Sequence, residues 1–213
     1  MREKFEEQLE LLNRELTRMG NLIQERIQSS IEALIRQDIE RAKEIMAQDE
    51  EIDHMQKKIE DICFHLLVQQ QPVAKDLRAV TAAMKMVTDM ERIGDHAADI
   101  SEMTIMLSGK IRIDSMETIN KMAGEALIML IQSVAAFVER NLEKAYKVIE
   151  HDDVVDRLFE TAKKELIELI QKNPQDGEQE LDLLMIAKYL ERIGDHATNL
   201  AEWVIFSLDD RRE

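Results

Sequence analysis

The heptapeptide Glu-Arg-Ile-Gly-Asp-His-Ala occurs twice in this sequence, at residues 91 to 97 and, unchanged, at 191 to 197. In a helix, Glu91 and Asp95 lie one turn apart on one face, and Asp99 and Glu102 continue it; the copy offers Glu191, Asp195, Asn199 and Glu202. Like charges at this spacing cost a helix roughly 0.2–0.5 kcal/mol per pair, so a stripe kept in both copies points to a positive species seated against it. A second carboxylate pair, Asp49 and Asp53, has the same spacing and recurs as Asp152 and Asp156. Oxygen-only ligands in such number suit hard cations such as Mg, Mn, Ca or iron, and they exceed what one ion needs.

Whether the two pairs meet depends on the register of a helical hairpin. Asp53 lies 19 residues before Pro72 and Glu91 lies 19 after it; Asp49 and Asp95 lie 23 before and after. If the helices fold back at Pro72 with equal rise, Asp53 meets Glu91 and Asp49 meets Asp95. Around Pro174 the counts are 18 and 17, then 22 and 21, so the second half makes the same meeting within about one residue. A solvated acidic face would explain any one pair; it does not explain two pairs that recur at matching distances from a turn. The second group differs in Asn199, which stands where Asp99 does.

The elements that must position these residues are long helices. Only two Pro and six Gly interrupt a chain dominated by Glu, Lys, Leu, Ile, Met and Ala. Phe5, Leu9, Leu12, Leu16, Met19, Ile23, Ile27, Ile31 and Leu34 form one apolar stripe, which predicts a helix over 3–36. Asp38 caps a second helix running toward residue 70, Pro72 ends it, and a third helix over 75–107 stops at Gly109. In the second half, Asp114-Ser115-Met116-Glu117 reads as a capping box, and Asn141 takes the place of Asp38 for a helix reaching 172. The turn at Asn173-Pro174 follows, and Asp176 caps the last helix. A shift of 103 superposes Ser30 on Ser133, Glu40 on Glu143, Asp49 on Asp152 and Asp53 on Asp156. The expected architecture is therefore all-α: two tandem, sequence-related antiparallel three-helix bundles, six long helices, over 1–110 and 111–213.

Composition narrows the partners. With 44 acidic against 28 basic residues and a net charge of −16, the chain disfavours nucleic acid and anionic membrane surfaces. A single cysteine, Cys63, between Ile62 and Phe64, fits a small buried residue in a reducing compartment. The charged start, MREKFEEQLE, carries no signal peptide, and the most apolar stretch, 127–138, is broken by Gln132 and Ser133. The expectation is a cytoplasmic protein with no direct membrane insertion.

Gly94 and Gly194 fall inside helices, where each costs about 1 kcal/mol relative to Ala, and are read as points of close helix approach. His96 and His196 lie about 100° around the helix from the acids, facing a neighbouring helix or the patch edge, and Arg92 and Arg192 flank the patch. Trp203 and the methionines are read as packing. A di-iron carboxylate oxidoreductase would need Glu-x-x-His on two helices; Glu51 and His54 supply one, but the repeat has Val154 and Arg157. A metal-indifferent helical adaptor would turn the acids toward a basic partner. No nucleophile constellation or phosphate-cradling glycine loop is present in the sequence, so no enzymatic activity is expected.

The duplicated heptapeptide, the two Asp-x-x-x-Asp pairs and the two three-helix repeats resemble the PhoU family of phosphate-transport accessory and regulatory proteins over essentially the whole chain. The resemblance implies multinuclear metal clusters, one per repeat, with iron favoured over zinc, manganese and magnesium. It implies Asp49, Asp53, Glu91, Asp95 and Asp99 as ligands at one site and Asp152, Asp156, Glu191 and Asp195 at the other, with Asn199 departing from the pattern. It further implies a homodimer that restrains phosphate uptake and the phosphate-starvation response by contacting the ATPase subunit of the phosphate ABC transporter and the sensor histidine kinase.

Overall fold

The computed structural model describes residues 2–69, 74–107 and 116–209, all but a few of them helical and none in a strand; of residues 2, 3 and 69 it describes the backbone alone. The helices are α1 (Arg2–Arg36), α2 (Ile39–Ala47), α3 (Glu50–Gln69), α4 (Ala74–Met106), α5 (Met116–Val138), α6 (Leu142–Lys172) and α7 (Gly177–Leu208). The predicted stripe on α1 is buried from Phe5 to Leu34, apart from Leu9, which is partly exposed.

Both first connections close in the same way. The N–H of Gln37 bonds the carbonyl of Leu34, and that of Asp38 bonds Ala33, with Gln37 at φ 53°. Arg140 and Asn141 repeat the pattern on Phe137 and Ala136, again with φ 53° at Arg140. This is a Schellman termination whose left-handed residue is not glycine. The next residue caps the following helix: Asp38 accepts from the Arg41 N–H and Asn141 from the Lys144 N–H, each at 3.0 Å.

Two expectations are corrected. The second helix is not continuous: at Gln48 and Asp49 the backbone bonds tighten to carbonyls three residues back, separating α2 from α3. Arg26, reaching from α1, holds Gln48 and Glu51 on either side of this break, whereas α6 runs unbroken through the matching His151 and Asp152. Asp176 stands at the start of α7 without making a capping bond from its side chain. A single 3₁₀ turn, Pro174–Asp176, leads into the helix instead. Pro72, Gly109, the first half of the proposed box at Asp114 and Ser115, and the boundary between 110 and 111 lie outside the described residues.

α3 packs on α4 and α6 on α7 as hairpins; α4 then lies along α7 and α1 along α5, so the apolar faces of the two repeats merge into one core. Among the described residues α5 alone is long and apolar enough to cross a bilayer, and more than half of that stretch is buried in this core.

Close approach explains the first heptapeptide glycine. A Cβ on Gly94 would stand 2.7 Å from Ile52 Cδ1 and 3.0 Å from its Cγ2, and Ile52 is itself buried; Gly124 on α5 has nothing within 4 Å. Gly94→Ala is expected to lower stability by roughly 1 kcal/mol, overpacking outweighing the gain in helix propensity, and Gly124→Ala to raise it by about 0.5–1 kcal/mol. Urea unfolding followed by circular dichroism tests this; equal stabilisation by both changes would contradict the packing account.

Candidate metal centre

The fold-back of α3 on α4 joins acids that are distant in sequence. Asp53 from α3 and Glu91 and Asp95 from α4 each present an oxygen within 4.8 Å of the others. Asp49, at the break before α3, lies beside them. Burial raises its carboxyl above the usual range, and the charges of Asp53 and Asp99 push it further. Burial likewise raises Glu91, with Asp53 and Asp49 adding to it and Arg92 opposing. Asp95 is pushed up to about 6, by burial first and then by Glu91 and Asp49. Arg92, on the same helix, sits 3.5 Å from Glu91 and 3.6 Å from Asp95, too far for strong hydrogen bonds, and is largely exposed. The group is thus a half-buried anion with more negative charge than its one flanking arginine offsets, which is the setting that an oxygen-seeking cation stabilises.

The second group is built on the same plan and is less negative. Asp152 is pushed up to about 6 by burial, then by Asp156 and Asp195, with the neighbouring Thr198 hydroxyl pulling it back. Burial and Glu191 raise Asp195, while Lys188 lowers it. Lys188 is ion-paired with Glu191 and lies over the Phe159 ring, its ammonium 5.3 Å from the centroid. Its counterpart in the first repeat is Thr88, one heptapeptide-to-heptapeptide shift away. Glu60, whose charge also raises Glu91, corresponds to Lys163. Lys163 likewise lies over the Phe159 ring, at 5.7 Å. Repeat two therefore carries its own cations where repeat one has none.

The remaining predicted positions are distributed between these groups and the α4–α7 crossing. Asp99 accepts from His96 Nδ1 at 2.9 Å while still bearing on Asp49. Glu102 lies near Tyr189, whose hydroxyl its charge raises after burial and Asp99, rather than with Asp53; Glu202 is exposed. Asn199 turns toward Asp89 of α4, its Nδ2 3.3 Å from the carboxylate, and His196 Nδ1 donates to the same oxygen at 2.9 Å. His96 stacks on Tyr189 with ring centroids 5.5 Å apart and lies 6.1 Å from His196. The histidines thus face the opposing helix. Between the two heptapeptides runs a cleft of about 690 Å³ lined by Asp49, Asp95, Asp99 and Asp195 together with Arg92 and Arg192. Asp89 and Tyr189 are not legible as site residues, because each acts across the α4–α7 interface, whereas the pairing of Lys188 with Glu191, three residues on along one helix, is readable from spacing alone. Cys63 is fully buried and its thiol is raised to about 12, an inert core residue.

Comparison with known proteins follows the same duplication. The family model for the PhoU domain matches residues 16–104 and again 119–204. The chain is 41% identical over 212 residues to the phosphate-specific transport system accessory protein PhoU homolog of Clostridium acetobutylicum, covering 99% of this chain and 97% of the relative. It is 32% identical to the homolog of Pseudomonas aeruginosa, over 96% of this chain and 85% of that one. Among solved structures, the crystal structure of PhoU from Pseudomonas aeruginosa matches with a TM-score of 0.86 at 30% identity, covering 95% and 98% of the two chains. That of the phosphate transport system regulatory protein PhoU from Streptococcus pneumoniae matches with 0.87 at 28%, covering 97% and 99%.

The raised carboxyl of Asp95 fixes a sign for pH dependence. Its folded value exceeds the unfolded one, so the folded state binds the proton more tightly and stability falls as pH rises from about 4 to about 6. In metal-free protein, Asp95→Asn should therefore gain stability relative to wild type as pH rises from 4 to 7, by on the order of 1 kcal/mol after allowing for solvent screening. Denaturation midpoints across that pH range in the presence of a chelator would show parallel curves if the carboxyl were not strained.

Proposed function

The chain belongs to the PhoU family, and from that premise we propose that it is a cytoplasmic, metal-cluster-binding regulator of phosphate uptake and a negative regulator of the phosphate-starvation response. In this reading it works as a homodimeric adaptor that contacts the ATPase subunit of the phosphate ABC transporter and the sensor histidine kinase, without catalysis of its own. The relatives' names, accessory and regulatory proteins of phosphate transport, support the class of function.

The observation that carries the metal assignment is the convergence of Asp53, Glu91 and Asp95 oxygens within 4.8 Å on the face of the α3–α4 hairpin. Asp49 and Asp99 would complete the first set, and Asp152, Asp156, Glu191 and Asp195 the second. Iron is favoured, with zinc, manganese and magnesium as alternatives; an all-carboxylate donor set suits the harder of these ions. Bound metal would supply fixed positive charge that offsets the mutual repulsion of the acids and ties α3 to α4 and α6 to α7. A second reading has its own support: Lys188 already offers an ammonium to Glu191, so a basic side chain of a partner could occupy the same place in a metal-indifferent adaptor.

Asp53→Ala combined with Asp156→Ala is expected to leave helical content unchanged and to reduce metal per chain several-fold or more, as ligand loss does in carboxylate sites. Elemental analysis of purified wild type and variant checks it, and equal metal content would refute the assignment. Pull-down of the transporter ATPase and the sensor kinase by the full chain, with and without chelator, separates the readings: retention after complete metal removal favours the metal-indifferent adaptor.

A further inference from the structure

The break between α2 and α3 has no counterpart in repeat two. Gln48 stands there at φ −99° and ψ 5°, and the N–H groups of Gln48 and Asp49 bond carbonyls three residues back, at 3.1 and 3.3 Å. The matching segment of α6, His151-Asp152-Asp153-Val154-Val155, carries poorer helix formers than Gln48-Asp49-Glu50-Glu51-Ile52, yet it runs unbroken. Local preference therefore does not cause the break. What differs is the residue that faces it from the preceding helix. Arg26 is buried, and its counterpart Met129, fully buried, needs no polar partner. A guanidinium withdrawn from water has to be met by acceptors. Its Nε meets none, so the two outer nitrogens carry that duty: Nη1 donates to Gln48, and Nη2 to Glu51 at 2.7 Å. The chain turns to supply both acceptors, and Asp49 lies between them. In repeat two the tie at this level is a single contact, Glu125 to His151 at 2.6 Å, and Val154 stands where Glu51 does.

The equivalent aspartates then stand differently. Asp152 lies on its heptapeptide glycine: a Cβ on Gly194 would meet Asp152 Oδ1 at 3.3 Å, beside Val155 Cγ1 at 3.4 Å. At Gly94 the three nearest atoms all belong to Ile52, the counterpart of Val155, so Asp49 is displaced from the glycine. Asp49, unlike Asp152, borders the α4–α7 cleft, and it feels the charge of Asp99, which borders the same cleft. Asn199, at the place of Asp99, turns away to Asp89.

We infer that Arg26 is a positioning residue for the first metal centre. By clamping Gln48 and Glu51 it interrupts the helix and swings Asp49 from Gly94 to the side of Asp99. Site one thereby opens onto the cleft and takes Asp99 into its ligand set, while site two closes over Gly194 without Asn199. The ligand role of Asp49 rests on the metal binding proposed above; the clamp does not. Such an orienting partner acts at one remove from the ion, through the direction it gives a ligand.

Arg26→Met installs the second repeat's residue in the full-length chain. Glu51→Ala, which frees one anchor at an exposed position, serves if the buried change does not fold. In protein treated with a chelator, the Cα chemical shifts of Gln48 and Asp49 are expected to move to helical values in the variant. Shifts that stay non-helical in a folded variant would overturn the clamp. Mn²⁺, a probe that takes oxygen ligands, then reads the ligand geometry, with Asp156→Ala carried in every protein so that only the first centre is counted. Arg26→Met is expected to weaken Mn²⁺ binding about tenfold or more, as loss of an orienting partner does. Asp99→Asn should weaken it by itself and add little in the Arg26→Met background, because the clamp works by bringing Asp49 to Asp99. Full additivity of the two changes, or an unaltered Mn²⁺ affinity in Arg26→Met, would overturn the positioning role. If the group takes up no Mn²⁺ even with Arg26 in place, while the helical shift still occurs in the variant, the clamp is upheld and the metal reading is what fails.

Discussion

Packing in this protein holds together what electrostatics pushes apart. The carboxylates of Asp49, Asp53, Glu91 and Asp95 crowd one patch, partly withdrawn from water, and each of Asp49, Glu91 and Asp95 prefers its proton more than a free carboxyl would. They stay together because the other face of the same hairpin is committed to the core. Ile52, one residue before Asp53, seats against Gly94, one residue before Asp95, at a distance that leaves no room for a side chain. The apolar contact fixes the register and the register fixes the charges. A cation entering the patch would meet oxygens already assembled and would offset the repulsion that the core sustains.

The crossing of α4 and α7 relates the two patches. Equivalent residues of the heptapeptides meet near a local pseudo-twofold axis, with His96 and His196 6.1 Å apart and flanked by the residues at positions 189 and 89 of the opposing helices. Identical sequence is set in different surroundings. His96 lies against an aromatic ring and within reach of its own Asp99, and burial lowers its affinity for a proton. His196 donates to an aspartate of the other repeat, which Asn199 also approaches. The cleft between them is bordered by acids from both patches, so a change of charge at one is felt in the space leading to the other.

The sequence made legible whatever follows from periodicity and from counting residues about a proline. The apolar stripe of α1, the caps at Asp38 and Asn141, and the meeting of Asp53 with Glu91 all follow from local rules. Three kinds of feature escaped it. The break at Gln48 and Asp49 contains neither Gly nor Pro and is bracketed by a long-range contact from Arg26. The left-handed residues at the two first connections are Gln37 and Arg140, where a sequence reader looks for glycine. Asp89 and Tyr189 bear on the site only through an interface between repeats, and periodicity within one helix carries no information about what faces it.

Duplication gives each repeat licence to specialise, and the substitutions show in which direction. In the first repeat, the carboxylates at the patch keep Asp99 and add Glu60, with arginine bridges closing the groove between α1 and α2. In the second, Asn199, Lys188 and Lys163 stand where Asp99, Thr88 and Glu60 do, so the patch is partly neutralised from within. Less attraction for a cation follows directly from Coulomb's law, since each lysine competes for the oxygens that an ion would use. The neutralisation is local to the patch, since the second half as a whole keeps 22 acidic residues against 13 basic ones. The first patch is therefore the more negative of the two, although the two repeats are equally rich in acids.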